Sequence, residues 1–182
     1  MFVSLSPIPT VPDLPHALAH ALLTVHDSGV ADLVDLEFAT GLWRRAHLAP
    51  HLLRLGERLP GRWTATLFLR TDRHGRLREQ LHVVNLQEPV EGTSPFTWSA
   101  LGRPVELDRD TGRVSLRIIP KPPRVRPFLV TARATPDTMN WLTGAELSHL
   151  RGGLEGERLL VEEVSSSGLR EPFRHVSGEP CT

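Results

Sequence analysis

Forty per cent apolar residues in a chain of 182 are enough to bury one core, and 16 Pro and 14 Gly indicate many turns without the composition of a disordered or collagen-like chain. The single cysteine, Cys181, excludes a disulfide within the chain, and no apolar run approaches the roughly 20 residues of a membrane span. Residues 1–10 lack the basic region and long apolar run of a signal peptide, so a cytoplasmic setting with no membrane partner is expected.

The net charge of zero conceals a division. Residues 1–40 carry five acids and no Lys or Arg. Residues 41–133 carry 17 basic residues against eight acids, a balance of +9, and residues 134–182 carry four Arg against eight acids. A basic middle between acidic ends marks either a polyanion site or ends that fold back to neutralise it.

Residues 1–12 hold three prolines and read as an extended lead-in. Asp13 can cap a helix, and Leu14, Leu18, Ala21, Leu22 and Val25 recur at helical spacing up to Gly29. This predicts a short amphipathic helix over 13–28, so residues 1–30 form an acidic lead-in and helix packed against a β domain over 31–165. Val34, Leu36 and Phe38 alternate as in a strand. Residues 42–55 are rich in Leu but interrupted by Pro50, which predicts a short helix ending there or two turns.

Residues 62–70 and 76–86 are β-rich runs joined by Thr71, Asp72, Arg73, His74 and Gly75, a five-residue hairpin loop ending in glycine. Residues 87–104, with three prolines and two glycines, read as a loop anchored by Phe96 and Trp98. A strand is predicted over 113–119, then an extended proline-rich, basic segment over 120–127, and another strand over 128–135. A brief helix over 137–144 and a second hairpin over 145–164, turning at Glu155 and Gly156, complete the domain, with a flexible tail over 166–182. Apart from the tetrad Gly-Glu-Arg-Leu at 56–59 and 156–159, no internal repeat is visible. The fold class is therefore mostly β, a small open barrel with a short N-terminal helix and brief additional helices.

Gly144, Ala145 and Glu146 lead into a strand, followed by Leu150, Arg151 and Gly152, then Leu159 to Val164. These residues resemble the closing strands of OB-fold proteins of the bacterial single-stranded-DNA-binding type, in which a G-x-x-V-x-V-x-G-x-L pattern recurs. About 20 residues carry the resemblance, which implies an OB-like barrel, binding of single strands and an accessory role in DNA repair or replication. The aromatic sites of that family do not transfer by position, since this chain has no Tyr.

The first hairpin carries the sharpest chemistry. Side chains alternate faces along a strand. In the simplest register Arg70 opposes Arg76, Phe68 opposes Arg78, Thr66 opposes Gln80 and Thr64 opposes His82. One face is then apolar, through Trp63, Leu67, Leu69, Leu77, Leu81 and Val83. The other crowds Arg62, Arg70, Arg76 and Arg78 around Phe68, and facing like charges cost stability unless an anion neutralises them. A ring for a base and guanidinium groups for phosphates make a platform for single strands. Arg117 and the basic segment Lys121, Arg124 and Arg126 are expected to hold more phosphates, and Trp98 or Trp43 to add stacking. The alternative is an accessory or interaction subunit whose basic face meets an acidic protein or a second copy of the chain.

His16 and His20, and His47 and His51, have the four-residue spacing of helical metal ligands. No Glu completes the metalloprotease pattern, so surface or interface histidines are expected, with no metal and no cofactor. No G-x-S-x-G elbow and no phosphate-cradling glycine loop is present, and no enzyme is expected.

Overall fold

The computed structural model of the chain describes residues 15–120 and 126–167, except for the side chains of 166 and 167. It is mostly β. Among the described residues ten strands run in chain order: β1 (His16–Val30), β2 (Leu33–Phe38), β3 (Trp43–Leu48), β4 (Gly61–Phe68), β5 (Gln80–Gln87), β6 (Phe96–Asp108), β7 (Arg113–Ile118), β8 (Phe128–Arg133), β9 (Leu147–Glu155) and β10 (Arg158–Ser167). A 3-10 helix (Pro50–Arg58) separates β3 from β4, and the helix α1 (Pro136–Leu142) separates β8 from β9.

Of residues 13–28, expected as a helix, 16–28 instead belong to the central strand β1, and 13–14 lie outside the described residues. Leu18 and Leu22 lie on its partly covered face, and with Leu14 their four-residue spacing imitates a helical period. The true period is two: Ala17, Ala19, Ala21, Leu23 and Val25 are all buried, and the residues between them are not. Pairing with β2, β4 and β6 overrides the helical preference of the alanines. Two more local expectations reverse. Pro50 starts its helix rather than ending one, since the first helical turn has no use for the N–H that proline lacks. Residues 96–108, most of them expected as loop, form β6. Pro104 is tolerated there because the register slips between Pro104 and Glu106.

The strands pair in the order β2-β3-β5-β4-β1-β6-β7-β8-β10-β9, with additional pairings of β1 to β2 and of β6 to β9. Each half of the chain therefore closes on itself. The first ring runs β1-β2-β3-β5-β4 and back to β1, and the second runs β6-β7-β8-β10-β9 and back to β6. In each ring the third and fifth strands are parallel, and the helix lies between the third and fourth. The chain is thus an internal structural repeat that its sequence does not display. The strand registers superpose Ala19 on Trp98, Leu36 on Leu116, Ala46 on Ala132, Leu81 on Leu159 and Val83 on Val161, all buried. Ala19 and Trp98 are also direct partners across the antiparallel β1–β6 seam, so a pseudo-two-fold axis passes through that pair.

On the hairpin face read as apolar, Leu67, Leu69, Leu77, Leu81 and Val83 are buried, and the core continues through Leu116, Ile118, Val130, Leu159 and Val161. Trp63 is partly buried, and its indole N–H donates to the Leu59 carbonyl at 2.8 Å. Trp98, at 2 % exposure, donates its N–H to the carbonyls of Gly153 (3.0 Å) and Leu160 (3.2 Å). Its cross-strand partner is Gly152, where any Cβ would run into the Leu160 carbonyl.

Candidate functional site

The hairpin of β4 and β5 is present and antiparallel, but its register differs from the simplest one. Phe68 opposes His82 rather than Arg78, Thr66 opposes Asn85 rather than Gln80, and Thr64 opposes Gln87 rather than His82. The cause is a longer tip, the eleven residues 69–79, with its own register. There Thr71 bridges Leu77, the Arg78 N–H donates to the Arg70 carbonyl at 3.2 Å, and the chain bulges before β5. The Asp72 carboxylate organises the turn, accepting the N–H groups of His74 (2.8 Å) and Arg76 (3.0 Å). Burial works to raise the Asp72 carboxyl, but those two N–H groups and the His74 and Arg76 charges outweigh it and hold the group below its ordinary value. Gly75 takes a positive φ of 79° to close the turn.

The tip reaches across to the second ring. The Leu77 N–H donates to the Glu157 carbonyl at 2.9 Å, the Leu159 N–H donates to the Gly75 carbonyl at 3.0 Å, and the Thr131 N–H donates to the Thr71 hydroxyl at 2.8 Å. Thus anchored, the tip separates two open grooves of about 790 and 810 Å³.

The first groove lies on the outer face of the first ring. Phe68, His82 and His47 are register partners on the neighbouring strands β4, β5 and β3. Their rings form a row, with 6.2 Å between the centroids of Phe68 and His82 and 5.9 Å between those of His82 and His47. Phe68 is 44 % exposed. The His47 ring is held on both nitrogens, by Gln80 at 2.6 Å from Nε2 and by Asp32 at 3.4 Å from Nδ1. Trp43, on the same face of β3, is 51 % exposed and stacks on His26 with centroids 4.9 Å apart.

Arg70, Arg76 and Arg78 border the ring row. Among the described residues no carboxylate lies within ion-pair distance of any of the three. Arg78 donates from Nε to the Thr71 carbonyl at 3.2 Å. Arg70 Nη1 is buried without a hydrogen-bond partner, and burial and then the Arg78 charge lower its guanidinium below the usual value. Arg44, on the groove floor, is paired with Glu157 at 3.3 Å.

Of the residues selected from the sequence, Phe68, Arg70, Arg76 and Arg78 come together. Arg62 lies at the opposite end of β4, and Arg117 and Arg126, although exposed, line neither groove. Lys121 and Arg124 fall outside the described residues. Trp98 cannot stack on a ligand, because it is buried. His47 and His82 are the main omission. The pairing of β3 with β5 joins residues 35 apart, and only the shared exposure of alternate positions could have pointed to them.

His16 and His20 lie on a strand, where four residues span about 13 Å, too far to share a metal ion. A Ser–His contact unforeseen from the sequence lies near the seam. The Ser99 hydroxyl is 2.6 Å from His149 Nε2 and 2.9 Å from His16 Nε2, and none of the three lines either groove. Burial, then the Arg151 and His16 charges, push His149 down to about 4, which leaves its imidazole a weak base near neutral pH. No helix among the described residues is long and apolar enough to cross a membrane. No family model matches the chain, and no curated protein is significantly similar to it in sequence.

Proposed function

We propose that the chain is a single-stranded nucleic-acid-binding protein built of two OB-like barrels, with its principal site on the first ring. The observation that carries this is the exposed ring row of Phe68, His82 and His47 beside Arg70, Arg76 and Arg78, none of which has a carboxylate within ion-pair distance among the described residues. Bases stack on rings without regard to sequence, while guanidinium groups hold phosphates, and both are needed along a single strand. The cyclic strand order, with a helix between the third and fourth strands, supports the barrel reading. So does the position of the site, since OB-folds bind oligonucleotides beside the loop between their fourth and fifth strands. A cytoplasmic setting, and a role beside DNA repair or replication, belong to the same proposal.

The test is fluorescence anisotropy with labelled single-stranded and duplex oligonucleotides at two salt concentrations. Affinity for the single strand should exceed that for the duplex and fall with salt, with a log–log slope of roughly −0.7 per phosphate neutralised. Absence of binding to a single-stranded 30-mer at low salt refutes the proposal. An acidic protein would be drawn by the same arginines but would not need the rings, so Phe68→Ala separates that alternative.

A further inference from the structure

We infer that the second groove is a second subsite for the same strand, so that a single strand lying on the ring row passes over the hairpin tip and continues onto the second ring. This deepens the proposed function and rests on it. Arg70, Asp72 and Arg78 line both grooves, so the tip is a ridge between them rather than a wall at the end of one. The Arg70 guanidinium lies with its carbon 3.3 Å from the centroid of the Phe128 ring, on β8. That cation–π contact fixes the guanidinium in place, while its Nη1 remains buried without a partner. A desolvated cation beside another cation, with no described counter-ion, favours an anion at the ridge.

The second groove beyond the ridge has its own charge and its own apolar wall. Arg73 and His74 line it and do not line the first. Arg73 is exposed and donates from Nε to His74 Nε2 at 3.1 Å, with no carboxylate among the described residues within ion-pair distance. Of the two acids there, Glu106 is engaged by Arg113 at 2.6 Å and by the Ser115 hydroxyl at 3.3 Å, and Asp72 by the backbone of its own turn. Arg113 also faces Asp108 at 3.6 Å, so it adds little free charge. Arg70, Arg73 and Arg78 therefore dominate the field, beside Phe128 and the half-exposed Leu129.

The experiment is a length series of labelled oligothymidylates from about 4 to about 20 nucleotides, bracketing the usual site size of one such barrel. It is run on the whole chain and on an Arg73→Ala/Leu129→Ala variant, both positions lining the second groove alone, shown to be folded by circular dichroism. Wild-type affinity should rise in two stages with length. The variant should match the wild type on the shortest oligomers and lose about tenfold on the longest, with a salt slope shallower by about 0.7 there. An equal loss at every length, or none at the longest, overturns the second subsite while leaving the first intact. Failure of the wild type to bind at any length overturns the proposed function itself.

Discussion

The two rings share strand order, core positions and a dyad, and differ where the fourth strand meets the fifth. In the first ring eleven residues, 69–79, make a tip carrying Arg70, Arg73, Arg76 and Arg78; in the second, residues 156–157 make a tight turn. The ring row is equally one-sided. The registers place Gly153, Leu160 and Arg133 where the first ring has Phe68, His82 and His47. The second ring thus keeps the architecture without the ring row, and contributes to the principal site chiefly by anchoring the tip of the first and by seating Arg70 on Phe128. The seam is asymmetric too. Ala19 pairs with Leu67 in the first ring, whereas the equivalent positions of the second are Trp98 and Gly152, a large residue facing the smallest. A repeated fold can carry one site because packing constrains inward positions on both sides, while loops and outward positions vary freely.

The comparison is broken most severely by giving the first ring the loop of the second. Replacing residues 70–78 with a two-residue turn should lower single-strand affinity more than 100-fold. The salt slope should become shallower by roughly 0.7 for each phosphate that is no longer neutralised. Circular dichroism and a melting curve separate this effect from unfolding, since the tip also supplies three hydrogen bonds to the second ring. Gly152→Ala should destabilise the protein by about 3 kcal/mol in urea titration, because the new Cβ meets backbone that cannot move aside. Leu67→Ala, at the equivalent position, removes volume instead and should be partly relieved by Ala19→Leu across the pair.

Phe68→Ala sharpens the contrast between ring and charge. It should weaken single-strand binding by about 1–3 kcal/mol and leave the salt slope unchanged, without loss of stability. Arg70→Gln/Arg78→Gln should do the reverse, flattening the slope across all base sequences. The smallest effect concerns His149, which in the folded protein protonates only near 4, against an ordinary value of 6.5. Between those values the unfolded chain binds more protons, so this group's stabilisation is complete above 6.5 and is lost as pH falls through 4. Urea titrations between pH 7 and pH 4 should show a shallower decline for His149→Gln, and an unchanged slope would discount the group.

Much of the β content was legible because inward positions alternate, as Val34, Leu36 and Phe38 do in β2 and Leu116 and Ile118 do in β7. The second hairpin was legible from its Glu-Gly turn, and the brief helix expected over 137–144 is α1 at Pro136–Leu142. At the site, Phe68, Arg70, Arg76 and Arg78 could be selected because all lie within one local hairpin. β1 was misread because Leu18 and Leu22 on its partly covered face, with alanines on the buried one, mask the alternation in hydropathy, and β6 because prolines and glycines at a bulge look like a loop.

The sequence by itself determined the inward positions of β2, β7 and the first hairpin, the glycine turns that close both hairpins, and that the first hairpin concentrates arginine around one phenylalanine. These are properties of neighbouring residues, set by the two-residue period of a strand and by glycine at positive φ. Only the tertiary structure decided that the chain closes into two rings about a dyad through Ala19 and Trp98. It alone brought His47 and His82 beside Phe68, and laid Arg70 on Phe128. Those contacts join residues tens of positions apart, across parallel strand pairs and a seam whose registers depend on every loop between them. No local pattern encodes such distances, because they are set by the packing of the whole chain.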